Sequence, residues 1–325
     1  MPLILLTESP VFCFSKETLK NILRKIMGKN RGPQAVTASL TRGLTQLGIA
    51  FELNPPINTF VHPVEIVHVI SGIETLRWAI EQKKLGRIKK LVAGPTIVVS
   101  PLDHDAILAS QEIDTILCPS QWVKDYYESK IPECRDKIRV WYAGVEIPED
   151  YKKEASLGDG RDKKCLIYIK NDSYTNTDEL IKSCTALGIK TNTINYGGFG
   201  RNQYFRDLLN SDFLIYVGKT ESQGLALHEA WARNIPTLVL NVEKWKYKND
   251  EWSDPLISAP YLDQTTGMFF KESDNLKDTL LEFIGNSRQF TPRDTSIRLF
   301  SDEETTKKYL KIISTHQLTS SLEVL

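Results

Sequence analysis

Short apolar runs, each followed by a stretch of helical periodicity, recur along this chain. They fall at residues 2–6, 64–70, 96–100, 115–118, 138–142, 165–170, 213–217 and 237–241. The runs are rich in Val and Ile, and most lack the two-residue alternation of a half-exposed strand. That is the pattern of parallel strands covered on both faces. Between them, residues 35–47, 73–85, 177–187, 203–209 and 225–233 repeat apolar side chains at helical spacing. Gly48 and Gly188 stand just past two of these stretches, where helices commonly end in a left-handed residue. Strand–helix alternation over the whole length predicts an α/β fold made of doubly wound, Rossmann-like parallel sheets.

Length sharpens this picture. At roughly 150 residues per domain, 325 residues predict two domains. A polar stretch at 147–164, with one Pro and two Gly, interrupts the alternation before a strong strand restarts at Cys165. We expect one domain over 1–155, a second over 156–300, and a last helix over 301–318. Residues 319–325 resemble the start of an engineered cleavage linker and are set aside. Two doubly wound halves facing each other would place a ligand at the strand C-termini, in a cleft between them.

Charge and cysteine usage narrow the function classes. Lys plus Arg and Asp plus Glu are both 41, so the net charge is zero. A duplex-binding protein usually carries a basic excess, so nucleic acid is not an expected partner. Any anionic ligand must be held by a few local groups. No apolar run approaches the roughly 20 residues of a membrane span, and the first residues lack the basic start of a signal peptide. The five cysteines are odd in number, with no CxxC pair. Reduced thiols and a cytoplasmic location are the expectation.

The stretch 213–240 is the most informative. It reads strand, loop, helix, turn, strand, with Glu221 in the loop and Glu229, after seven intervening residues, in the second turn of the helix. Gly224 stands at the helix start, where free backbone N–H groups and the helix dipole favour a phosphate or a sugar hydroxyl. A carboxylate one turn in can accept two hydrogen bonds from a vicinal diol such as a ribose. The alternative is an ordinary i,i+4 surface pair between Glu229 and Arg233.

This stretch resembles the E-x7-E signature of the retaining glycosyltransferases of family 4, which have the GT-B fold. The residues that carry the likeness are Glu221, Gly224, Leu225, Glu229, Ala230, Ala232 and Pro236. Residues 114–124 and 137–145 are similar to the end of that family's N-terminal domain, and Gly32-Pro-Gln with 40–48 to its first loop and helix. The resemblance implies that residues 1–155 hold the acceptor, a glycan or other hydroxyl compound, and 156–300 the nucleotide-sugar donor. The last helix would return to the first domain. Glu229 would hold the ribose and Glu221 the hydroxyls of the transferred sugar. The Gly224 and Leu225 amides, flanked by Ser222 and Gln223, would face sugar and diphosphate.

The leaving diphosphate needs positive charge. The family supplies an Arg and a Lys about five residues apart, whereas this chain has Lys170 and then Thr175. Lys219 and Arg201 are the substitutes at other strand ends. Tyr196, beside Gly197-Gly-Phe-Gly200, is a stacking candidate for the base. His104 and Asp103, with Gly32, are candidates for the acceptor side, His104 also for catalysis. No metal and no cofactor are expected. Two alternatives stay open: a nucleotide-sugar-binding protein without turnover, and a metal-dependent GT-A transferase using Asp103 and Asp105, which match the D-x-D pattern. His62 and His68 read as structural.

Overall fold

In a computed structural model, the described residues are 3–7, 32–153, 163–170, 174 and 176–314. Cys13, Thr175, residues 154–162 of the polar stretch before Cys165 and the segment 319–325 lie outside them. The chain divides into two compact units, residues 1–144 with 302–325, and residues 145–301.

The first unit is built on a six-stranded parallel sheet of order β2-β1-β3-β4-β5-β6. In chain order its elements are β1 (Leu3–Leu6), α1 (Gly32–Gln46), β2 (Phe51–Leu53), β3 (Val64–Ser71), α2 (Ile73–Lys84), β4 (Ile88–Thr96), β5 (Thr115–Cys118), α3 (Gln121–Lys130) and β6 (Ile138–Val140). One expectation fails: residues 97–100 are not a strand, and β4 precedes them. Lys89 and Lys90 break the apolar run that would have announced it. Both find partners, Lys89 with Glu65 on β3 at 2.5 Å and Lys90 with the Ile313 carbonyl at 2.9 Å. Val99, which suggested the strand, is half exposed.

The helix Asp302–Ile313 belongs to this first unit and packs along α1. Gly43 permits the approach, since a Cβ there would lie 2.0 Å from Thr306 Oγ1 and 2.4 Å from the Asp302 carbonyl. Arg42 Nε meets Asp302 Oδ2 at 2.6 Å, and Trp141 Nε1 donates to the Thr305 carbonyl at 3.0 Å. His68 is structural. Its Nε2 donates to the Gly94 carbonyl at 2.7 Å, so its Nδ1 accepts from the Tyr309 hydroxyl at 2.9 Å. Burial lowers the His68 pKa to about 4, which keeps that neutral tautomer.

The second unit carries a five-stranded parallel sheet of order β13-β10-β9-β7-β8. Its elements run β7 (Lys164–Ile169), α4 (Thr177–Ala186), β8 (Lys190–Asn195), α5 (Arg201–Leu209), β9 (Phe213–Val217), α6 (Leu225–Ala232) and β10 (Thr237–Leu240). An antiparallel hairpin of β11 (Lys244–Tyr247) and β12 (Asp250–Ser253) follows, then β13 (Gly267–Phe270) and α7 (Leu276–Gly285). Ile167, Phe213, Ile215, Val217, Leu238, Phe270 and Phe283 form its core.

The division falls at Gly144/Val145, not at the expected 155/156. Hydrogen bonds explain the difference, because the start of the polar stretch is already tied into the second unit. Val145 N donates to the Phe300 carbonyl at 2.7 Å, and Lys152 N to that of Arg233 at 3.0 Å. Arg293 Nη2 reaches the Pro148 carbonyl at 2.8 Å, and Asn234 Nδ2 that of Lys152 at 2.8 Å.

Candidate active site

In the second unit the chain leaves β7 for β8 on one side and returns to β9 on the other. Helices after β7 and β9 therefore depart to opposite faces, which makes the C-terminal ends of these two neighbours the topological switch point of the sheet. That is where open parallel sheets bind ligands. Lys170 directly follows β7, and Glu221 lies in the loop that follows β9. The two meet, with Lys170 Nζ 2.6 Å from Glu221 Oε1. Glu221 is 7% exposed, and its amide is tied to the Ile257 carbonyl at 2.9 Å.

The second carboxylate is held from a third strand end. Arg201 opens α5 after β8, and its Nε and Nη2 lie 2.9 and 2.8 Å from Glu229 Oε1. The alternative considered for Glu229, an i,i+4 surface pair with Arg233, is thus replaced by a pair with Arg201. Arg233 is the residue at which α6 stops, with φ −94° and ψ 11°. Its Nη1 donates to the Glu229 carbonyl at 3.1 Å, and its guanidinium lies 3.5 Å from the centroid of the Phe205 ring. Burial lowers the Arg233 pKa, against an opposing effect of Glu229.

Gly224 caps α6 in the left-handed region, φ 87° and ψ 48°. There a side chain would be strained, and its Cβ would lie 3.3 Å from Leu227 Cδ1. Leu227, Ala230 and Trp231 are fully buried, which fixes the helix on the sheet. Leu225 is half-buried, Gln223 is buried, and Ser222 and Lys219 are exposed. Lys219 accepts a bond at its carbonyl from Ser258 Oγ at 3.1 Å. Tyr196 is 64% exposed, with Lys170 Nζ 5.3 Å from its ring centroid. Lys170, Tyr196, Arg201, residues 219–225 and Glu229 thus all belong to strand ends of one edge of the second unit.

Two residues of this site were not anticipated, Tyr216 and Tyr168. The Tyr216 hydroxyl donates to Glu221 Oε1, and its ring stacks on Tyr168 with 5.1 Å between centroids. Burial pushes both phenols up, that of Tyr216 well above the usual value.

Gly32, Asp103 and His104 belong to the first unit. Gly32 is the exposed first residue of α1. His104, Asp105 and Ala106 form a left-handed turn, φ 55°, 60° and 52°. Asp103 Oδ2 accepts from Ser100 N at 3.1 Å, while Asp105 Oδ2 lies 3.8 Å from Arg77 Nη2.

No family model matches the chain, and no curated protein matches it. Solved structures do. The apo form of the lipopolysaccharide outer core galactosyltransferase WaaB superposes with a TM-score of 0.55 at 12% identity, over 96% of this chain and 99% of that one. WaaG, a glycosyltransferase involved in lipopolysaccharide biosynthesis, gives a TM-score of 0.50 at 10% identity, over 96% and 100%. The catalytic domain of starch synthase IV from Arabidopsis thaliana, bound to ADP and acarbose, gives 0.50 at 10%, over 85% and 74%. The fold is GT-B. At these identities the likeness carries the fold and nothing finer. A GT-B fold does not favour the GT-A alternative, and the carboxylates of Asp103 and Asp105 turn to different partners. Among the described residues no helix is long and apolar enough to cross a membrane.

Proposed function

We propose that this chain is a cytoplasmic glycosyltransferase that moves a sugar from a nucleoside diphosphate sugar to a hydroxyl acceptor with retention of configuration. One observation carries the reading. Glu221 and Glu229 stand at the switch point of a GT-B unit, each engaged by a cation from a different strand end. In this reading Glu229 accepts hydrogen bonds from the ribose diol, and Glu221 contacts hydroxyls of the transferred sugar. The Gly224 and Leu225 amides at the start of α6 face the diphosphate, where the dipole is favourable. Breaking the bond from the anomeric carbon sends its electron pair to the diphosphate, and Lys170, with Lys219 and Arg201 from other strand ends, is assigned to offset that charge. The acceptor hydroxyl forms the new bond to the anomeric carbon and passes its proton to the departing diphosphate oxygen. Gly32, Asp103 and His104 of the first unit are assigned to the acceptor side. No metal is assigned a role.

A thermal-shift series with UDP-, GDP-, ADP- and dTDP-sugars, with and without chelator, tests the proposal. A donor at a hundred times its Kd adds about 2.7 kcal/mol, which is roughly 5–10 °C for a unit of this size. We expect one nucleotide class to give that shift with chelator present. No shift from any donor, or a shift abolished by chelator and restored by Mn2+, would refute it.

A second reading, donor binding without turnover, is favoured by one feature. Lys170 and Arg201 both direct their charge at a carboxylate of the chain itself. Slow release of free sugar from the bound donor, measured by chromatography, distinguishes the two. Turnover excludes the second reading.

A further inference from the structure

Glu221 is gripped from two sides. Lys170 Nζ and the Tyr216 hydroxyl both donate to Oε1. The two donors differ in stiffness. Lys170 ends a flexible four-carbon stem, and its side chain is 32% exposed. Tyr216 is 1% exposed on the central strand β9, opposite Tyr168 of β7 in the sheet register and stacked on it with 22° between ring planes. Gly218 makes room for this ring, since a Cβ there would lie 2.6 Å from Tyr216 Cε1. Burial first, and the Glu221 charge after it, hold the phenol in its protonated form. At neutral pH the phenol is therefore the donor and the carboxylate the acceptor. Such a charge-assisted bond is stronger than one between neutral groups.

We propose that Tyr216 is a positioning residue for Glu221: from the rigid strand it fixes the carboxylate at the switch point, so that Glu221 meets the hydroxyls of the transferred sugar in a single orientation. The assignment rests on the reading of Glu221 as the sugar-contacting carboxylate. It also gives the two donors separate tasks. Lys170 can turn toward an incoming diphosphate, because Tyr216 keeps Glu221 in place when it does.

Calorimetry separates this from a merely structural role. UDP, GDP, ADP and dTDP, each with its glucose, galactose and mannose conjugates, are titrated into the wild-type chain to find the pair that binds. The quantity to follow is the gain in affinity on adding the sugar to the diphosphate. Tyr216→Phe keeps the ring and its stack, and is expected to cut that gain about tenfold while the diphosphate alone binds within twofold of wild type. Glu221→Gln should also remove the gain, and Tyr216→Phe added to it should change nothing further. A structural defect would instead weaken the diphosphate equally and would add to the effect of Glu221→Gln. Gly218→Ala crowds the same ring without removing a polar group, and the same selective loss is expected should Tyr216→Phe not fold. A full gain in Tyr216→Phe alongside a lost gain in Glu221→Gln would overturn the positioning role alone. A full gain in Glu221→Gln, or no conjugate that binds more tightly than its diphosphate, would overturn the sugar-contact reading and this role with it.

Discussion

Replacing Glu229 by Gln tests the proposed ribose contact most directly, because the amide keeps the shape of the carboxylate and removes its charge. Two effects must be separated. Towards the ligand, a hydrogen bond to a carboxylate is charge-assisted and worth about 1.5–3 kcal/mol, against about 0.5–1.5 to a neutral acceptor, so removing the charge beneath two such bonds should lower nucleoside diphosphate affinity roughly ten- to a hundredfold. Towards the fold, the variant loses the pair in which Arg201 Nε and Nη2 lie 2.9 and 2.8 Å from Glu229 Oε1. The side chains of that pair are 36% and 15% exposed, so solvent screens it. Its loss should cost about 1 kcal/mol, or roughly 2–4 °C in Tm. Isothermal titration with the nucleoside diphosphate reads the first effect and a melting curve the second. An unchanged affinity with a lowered Tm would show that Glu229 serves only to hold Arg201, and the E-x7-E resemblance would have failed at its second carboxylate.

Two further outcomes follow from packing and burial. Gly43→Ala places a Cβ 2.0 Å from Thr306 Oγ1 and 2.4 Å from a backbone oxygen, so the helix 302–313 should be displaced and cut early in limited proteolysis; wild-type protection would refute that contact. His228 is fully buried beside Phe300 at 4.3 Å between centroids, neither ring nitrogen has a partner among the described residues, and burial lowers its pKa from 6.5 to about 3. The unfolded chain takes up this proton below about pH 6.5 and the folded chain does not, so stability is full above 6.5 and falls as pH drops toward 3, by about 2 kcal/mol at pH 5 from this group. His228→Phe keeps the stack and should remove that part of the loss between pH 7 and pH 5 in urea unfolding; an unchanged pH dependence would refute the assignment.

How far the fold was legible depended on where each strand sits. The runs at β1, β3, β5, β7, β9 and β10 are apolar because helices cover both faces, and each is where the pattern placed it within a residue or two. β8 escaped notice because it is an edge strand. In Lys190–Asn195 only Ile194 is buried, and the other side chains are polar and face water at least in part. β13 hides behind Gly267, whose hydrogen-bonding neighbour Thr237 leaves no space for a Cβ: its carbonyl would stand 1.9 Å away. β4 is hidden by Lys89 and Lys90, whose charges are matched by a residue on β3 and by a carbonyl at the end of the last helix. No local pattern reports partners that far along the chain.

The sequence pointed to the carboxylates of the candidate site and not to their partners, for the same reason. Glu221 and Glu229 lie in one strand–loop–helix unit, so spacing alone carries them to one sheet edge. Their cations come from other strand ends, 51 and 28 residues away, and only the strand order β9-β7-β8 brings those ends alongside. The helical i,i+4 rule selected Arg233 for Glu229, but that rule requires both residues to lie within the helix, and α6 ends at Ala232. Tyr216 did leave a signal. A tyrosine next to last in a five-residue, fully buried strand must find an acceptor for its hydroxyl. The nearest carboxylate downstream is Glu221, five residues on, and the missing Cβ of Gly218 leaves room for the ring beside it. A buried phenol close before a loop carboxylate, with a glycine between them, is therefore a sequence pattern from which a hydrogen bond can be expected.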